Sequence, residues 1–325
     1  MLIFSFFVCG GQIQLKTIIF HFGVQRTGTT TLQSVLAKNK GILRSHGILY
    51  PDFLGQKNHV KMPWSLKNNK ITSVEVVNEI LKQDEDFVSK FVISAEDLCI
   101  LTDFSFLKDF LDKFEVMIIV YLKEQSAWLE SWYNQHIKWP WEEKYSSCSR
   151  EYFLDHIHDF YWIDYVSFLD KIKKIIGDEN LTVKINSSSL VKDTTKDFIE
   201  YIGLDASRLH PYSYTNESLT AGQLEVIRRV DLSGVKPAAR IRILNAVKKM
   251  EIDGDIHGKS VFNNQQRLKI YQYFQDSNNM LFDKYFAGEK VFDDYYERNY
   301  EPLTVSDEIV SSKYLPKLCK LIATD

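Results

Sequence analysis

Residues 21–31, His-Phe-Gly-Val-Gln-Arg-Thr-Gly-Thr-Thr-Thr, place two glycines, a cation and four hydroxyls between an apolar run and an amphipathic one. That combination suits an oxyanion. Backbone N–H groups at a helix N-terminus lack intrahelical partners and lie at the positive end of the helix dipole, so an anion held there collects several charge-assisted hydrogen bonds. Gly23 and Gly28 allow a close backbone approach, and Arg26 adds a fixed positive charge. The elements that must position them are a strand over 17–22 and a helix from Thr29 onward. A Gly-Thr-rich turn that merely connects the two is the plainer alternative.

The spacing resembles a Walker A motif, G-x-x-x-x-G-K-S/T, because Gly23 and Gly28 are five apart and Thr30 takes the last hydroxyl position. The lysine is missing, and Thr29 stands in its place. The loop resembles more closely the 5′-phosphosulfate loop of sulfotransferases that use PAPS (3′-phosphoadenosine 5′-phosphosulfate), roughly H-x-G-x-x-K/R-T-G-T-T-x-L-Q. His21, Gly23, Arg26, Thr27, Gly28, Thr29, Thr30, Leu32 and Gln33 fit that pattern. Chemistry accounts for the difference between the loops. A transferring phosphoryl group usually needs Mg²⁺, held by the loop hydroxyl and an acid on a later strand. A sulfuryl group carries less charge, so amides, hydroxyls and one cation can suffice and no metal is required. The run 116–122 leads to Lys123, not to an acid at that position.

The resemblance implies two further constellations. In the family an Arg at a strand end and a Ser eight residues later hold the 3′-phosphate; Lys123 and Ser131 match that spacing, within a Trp-Leu-Glu-Ser-Trp-Tyr-Asn-Gln run. A lysine closing a strand and a serine facing another helix is the alternative. After the run 91–94, Ser94-Ala-Glu96 resembles the family's S-x-E segment, which makes Glu96 a candidate base for an acceptor hydroxyl. Ser94 and Asp97 are also spaced as a capping box, which would leave Glu96 an ordinary first-turn acid. His59, where the family often carries a histidine near the acceptor, and His21, beside the loop, are the other candidate bases. The cation types are exchanged relative to the commonest family residues, Arg26 for lysine and Lys123 for arginine. Trp139 and Trp141 flank a proline and are candidates for an acceptor wall.

A chain of 325 residues, 45% hydrophobic and 14% aromatic, has ample material for a core, and a formal charge of −3 argues against a nucleic-acid partner. Cys9, Cys99, Cys148 and Cys319 are scattered without zinc-ligand spacing and read as reduced thiols. The apolar opening lacks a positive n-region and is shorter than the roughly 20 residues that span a bilayer. It reads first as a strand extension, then as a mis-assigned start or a signal remnant. A cytoplasmic location without a transmembrane segment is expected, with peripheral membrane contact left open.

Strand-like runs at 17–22, 48–50, 91–94, 116–122 and 181–185 alternate with helical patterns near 29–39, 74–83, 104–113, 126–138, 162–176 and 194–202. The alternation predicts an α/β fold, a parallel sheet between helical layers, three layers in all, with a helical C-terminal part; the resemblance implies that it is a P-loop-like sulfotransferase fold. Beyond about 219 only helical spacing remains, at 223–230, 238–250 and 265–286. We therefore expect a single sulfotransferase-like domain over 15–325, with an α/β nucleotide-binding core at 15–215, a helical part at 216–325 and an extension at 1–14. The expected activity is transfer of a sulfuryl group from PAPS to a hydroxyl-bearing acceptor, a glycan or glycolipid, releasing PAP (adenosine 3′,5′-bisphosphate). The rivals are a P-loop kinase or nucleoside triphosphatase, and a catalytically impaired PAP-binding protein of the same fold.

Overall fold

The computed structural model describes residues 7–9, 12–24, 27–53, 55–56, 59–211, 219–255, 260–292 and 301–324, of which 7–14 and 324 are described in backbone only. The chain divides into two compact units, each assembled from separate stretches of sequence. The first comprises Met1–Lys123, Trp162–Tyr214 and Asp276–Phe292; the second comprises Glu124–Tyr161, Thr215–Gln275 and Asp293–Asp325. Residues 124–161, expected within the α/β core, belong by their contacts to the second unit.

In the first unit a short antiparallel hairpin, β1 (Phe7–Cys9) with β2 (Gln12–Gln14), precedes the main sheet and, among the described residues, pairs only within itself. The main sheet is five-stranded and all-parallel. It contains β3 (Thr17–Gly23), β4 (Ile48–Leu49), β5 (Lys90–Ser94), β6 (Glu115–Leu122) and β7 (Leu181–Ile185), in the order β4-β5-β3-β6-β7. Every strand expected from the sequence is present. This is an α/β fold.

Strand β3 is central and buried on both faces, which is why its sequence shows no polar alternation. Its residues still divide by parity. Ile19 joins Val92, Ile119 and Tyr121 under the helices Thr29–Lys38 and Thr194–Tyr201, whose Leu32, Val35, Leu36, Phe198, Ile199 and Ile202 fill that layer. Phe20 and Phe22 face the other way, where Phe20 meets Phe110 edge-on at 5.0 Å and Phe22 meets Phe104 at 5.9 Å. Phe104 in turn touches Phe168 of the helix Tyr165–Ile176. The result is a sheet with a helical layer on each side.

The second unit is helical among its described residues. Its helix Gln125–Lys138 starts at Glu124, whose buried carboxylate accepts from the Ser126 and Ala127 amides and the Ser126 hydroxyl. Glu124 follows the expected lysine directly, and it serves as a helix cap. On the same helix Trp128 and Trp132 stack at 5.1 Å, and His136 packs edge-on to Trp132 and Tyr145 at 5.0 Å each. Glu130 accepts from the Ser260 hydroxyl, the Val261 and Phe262 amides and the Arg267 guanidinium, at 2.7 to 3.0 Å. One carboxylate thus fixes a turn and neutralises a buried cation. Glu130→Gln should lower the stability of this unit by about 2 kcal/mol in urea unfolding, because Arg267 keeps its charge and loses this ion pair. A loss below about 0.5 kcal/mol would mean that this nest is not a structural anchor.

Among the described residues no helix is long and apolar enough to cross a membrane.

Candidate functional site

In an open parallel sheet, ligands sit beyond the carboxyl ends of the strands, where successive connections leave to opposite sides. Here that place is the end of β3, flanked by β5 on one side and β6 on the other. The glycine loop lies there. Gly28 is the N-cap of the helix Thr29–Lys38 and adopts φ +87°, a left-handed conformation that favours glycine. That helix has no acidic residue in its first turn and, among the described residues, no side chain capping its N-terminus. Gly28 and Thr30 are exposed while Thr27 and Thr29 are buried, so the loop alternates between anchoring and presenting residues.

Gly23, Thr29 and Glu96 converge. A Cβ on Gly23 would lie 2.3 Å from Cγ2 of Thr29 and 3.2 Å from Cβ of Glu96. The Thr29 hydroxyl donates a hydrogen bond to the Glu96 carboxylate. The position that a nucleoside triphosphatase fills with lysine therefore holds a hydroxyl tied to an acid. Behind it, the Thr27 hydroxyl donates to the Val24 carbonyl at 2.8 Å. The Thr27 carbonyl accepts from the Thr194 hydroxyl at 2.9 Å, and Thr194 is in turn bonded by the Asn186 amide at 2.7 Å. Asn186 follows β7 directly and its backbone N–H reaches the Leu122 carbonyl, so the brace begins on the sheet.

Glu96 opens a short 3₁₀ helix, Glu96–Ile100, whose N-cap is Ala95 without a side-chain bond. The capping-box alternative is thereby corrected: Ser94 turns its hydroxyl to Nδ1 of His21, 2.8 Å away. A long-range partner took the hydroxyl that local spacing offered to the helix. The Ser94 backbone N–H donates to Nδ1 of His59, and Nε2–H of His59 donates to the Pro51 carbonyl at 2.8 Å. Both nitrogens of His59 are engaged in this arrangement, and burial pushes its pKa down to about 4. Burial also holds His21 neutral, with a pKa down to about 3. Each imidazole ties strand ends together.

Gly23 pairs with Tyr121 across β3 and β6, which puts Lys123 two residues past that pair, at the same end of the adjacent strand. Lys123 is half-buried and its carbonyl accepts from the Tyr165 hydroxyl. Ser131 is half-buried on the helix Gln125–Lys138 and belongs to the second unit. Arg26 lies outside the described residues. In the second unit the Arg240 guanidinium covers the Trp139 ring at 5.0 Å, while Trp141 is 53% exposed and lies 4.9 Å from Trp132. Among the described residues no group of three or more His, Cys, Asp or Glu gathers as a metal site.

No family model matches the sequence. An uncharacterized protein of Archaeoglobus fulgidus is 25% identical over 208 residues, 61% of this chain and 55% of that protein. The chain thus spans about half the length of this relative. Among solved structures, that of retinol dehydratase in complex with androsterone and inactive cofactor PAP is similar over 80% of each chain. It is 13% identical, with a TM-score of 0.35. A likeness at that level passes neither cofactor nor activity to this chain.

Three contributors to the site were not among the candidate residues read from the sequence. Asn186 and Thr194 reach Thr27 across more than 150 residues. Asp197 receives the Tyr121 hydroxyl at 2.5 Å and the Lys184 ammonium at 2.7 Å, which latches the helix Thr194–Tyr201 onto β6 and β7.

Proposed function

We propose that this chain is a PAPS-dependent sulfotransferase that moves a sulfuryl group to an acceptor hydroxyl on a carbohydrate or glycolipid and releases PAP. The observation that carries the reading is the helix start at Gly28, with no side-chain cap among the described residues, at the carboxyl end of the central strand and with Thr29 tied to Glu96 beside it. A helix start with no first-turn acid, presenting exposed Gly28 and Thr30, suits a monoanionic sulfuryl group next to a phosphate. Thr29 at the Walker lysine position disfavours a nucleoside triphosphatase.

The bound donor would supply the sulfuryl group and leave as PAP. Gly23, Thr27, Gly28, Thr29 and Thr30 hold its 5′ end; Lys123 takes the 3′-phosphate. Arg26 donates to the oxygen on which negative charge develops as the sulfur–oxygen bond breaks. Glu96 takes the proton that the acceptor hydroxyl gives up as its oxygen bonds to sulfur. Thr29 keeps that carboxylate beside the loop. No step is assigned to His59, whose nitrogens are committed to Pro51 and Ser94.

Calorimetry with PAP tests the reading. Wild-type chain should bind PAP, and Lys123→Ala should weaken it about tenfold to a hundredfold, the worth of one charge-assisted phosphate contact. Unchanged affinity removes the 3′ site. Stabilisation by ATP-Mg but not by PAP would favour the kinase reading, and PAP binding without transfer of labelled sulfate to any glycan would favour a non-catalytic protein.

A further inference from the structure

Residues 57–72 carry four lysines, Lys57, Lys61, Lys67 and Lys70, and no acid, in a chain whose net charge is −3. The helix Lys61–Lys67 lies within this stretch and buries Met62 and Pro63. It is pinned at its start by His59, the histidine that joins Pro51 to Ser94. Lys61, Lys67 and Lys70 are exposed.

Trp64 is exposed as well, at 40%, yet it is not a free rotor. Its indole N–H donates to Oδ2 of Asp97 at 2.6 Å, and the Lys67 ammonium lies 5.4 Å from its ring centroid. Asp97 is the residue next to Glu96 on the short helix Glu96–Ile100. A tryptophan recruited for the core would be covered; this one keeps ring surface in water while a carboxylate fixes its orientation. An aromatic face held rigid before a ligand arrives loses little entropy when one stacks on it. Lys67 at its edge, on a stretch that carries lysines and no acid, favours a ligand with negative charge.

We propose that Trp64 and Lys67 form the acceptor-recognition wall of the site, selecting a sugar ring that carries an anionic group, with Asp97 as the residue that positions the indole. This rests on the transferase reading above, since it is the adjacency of Asp97 to Glu96 that makes the wall part of that site. The indole stacks on the C–H face of the ring. Lys67 meets the anionic substituent, and Lys61 and Lys70 raise its local concentration.

The test is calorimetric titration of the full chain, with and without saturating PAP, using cellobiouronic acid and, as its neutral counterpart, cellobiose. The uronate should bind about tenfold tighter than cellobiose at low salt, the difference shrinking as salt rises. Trp64→Ala should weaken uronate binding about tenfold, Trp64→Phe less, and Asp97→Ala should fall between them. Lys67→Gln should erase the preference for the uronate. PAP affinity should be unchanged in all four variants. Equal affinity for the two sugars, no binding of the uronate, or indifference to both Trp64 variants overturns the proposal. Failure of PAP to bind the wild type defeats the transferase reading instead, and the titrations without PAP tell the two failures apart.

Discussion

Gly23→Ala should lower PAP affinity about a hundredfold and destabilise the α/β unit by about 2 kcal/mol, read by calorimetry and by urea unfolding. The added methyl would stand 2.3 Å from Cγ2 of Thr29, inside any real carbon–carbon contact, and 3.2 Å from Cβ of Glu96. Neither neighbour is a flexible side-chain end. Thr29 is β-branched, buried and in the first turn of its helix, so relief must come from moving the helix start or the Glu96 segment. Either movement displaces the amides that would face the 5′-phosphosulfate. Gly41→Ala is the control: nothing lies within 4 Å of its Cβ position, and alanine within the helix Lys40–Ser45 should stabilise by about 0.5 kcal/mol. Equal PAP affinity in the Gly23 variant would remove the loop from the binding site.

The sheet was legible because its signal is local. Each strand is a short apolar run, and each covering helix repeats its apolar residues at three- and four-residue spacing, so neither needs knowledge of its partner. Gly177 and Gly203 mark helix ends by composition, and both have a positive φ, which favours glycine. The helix Lys61–Lys67 escaped notice because its burial is two residues long and its docking depends on His59 meeting Pro51 and Ser94. No periodicity encodes that.

The site was legible only in part, and for the same reason. Gly23, Gly28 and Thr29 are neighbours in sequence, so their spacing could be matched as a motif. Glu96 came from its place after a strand, but its hydrogen bond from Thr29 spans 67 residues. The brace from Asn186 and Thr194 has no local pattern at all, since an Asn after a strand and a Thr inside a helix start are ordinary residues. Ser94 shows the opposite failure. Its spacing to Asp97 satisfied a local rule, and His21, available from the adjacent parallel strand, won the hydroxyl.

Between pH 7 and pH 5 the protein should lose about 6 kcal/mol of folding stability, from three histidines at about 2 kcal/mol each. His21, His59 and His136 are all fully covered, and burial drives their pKa values down to about 3, 4 and 4. The unfolded chain takes up protons at each near pH 6.5 while the folded chain does not, so the unfolded state binds more protons throughout this window. Stability is therefore complete above about 6.5 and falls as pH drops toward the folded values. The carboxylates held below their usual range, Asp159 and Asp103 among them, titrate lower still and leave this window to the imidazoles. Glu124 works in the opposite sense, because burial raises its carboxyl. The two units separate the contributions: His21 and His59 belong to the α/β unit, and His136 to the helical one. Among the described residues neither ring nitrogen of His136 has a hydrogen-bond partner, and aromatic rings surround it, so His136→Phe deletes buried polar atoms without opening a cavity. That variant should match or exceed wild-type stability at pH 7 and lose about 2 kcal/mol less on acidification, in urea unfolding followed at both pH values. A flat pH profile in the wild type, or an unchanged slope in the variant, would mean that these imidazoles take up protons in the folded state.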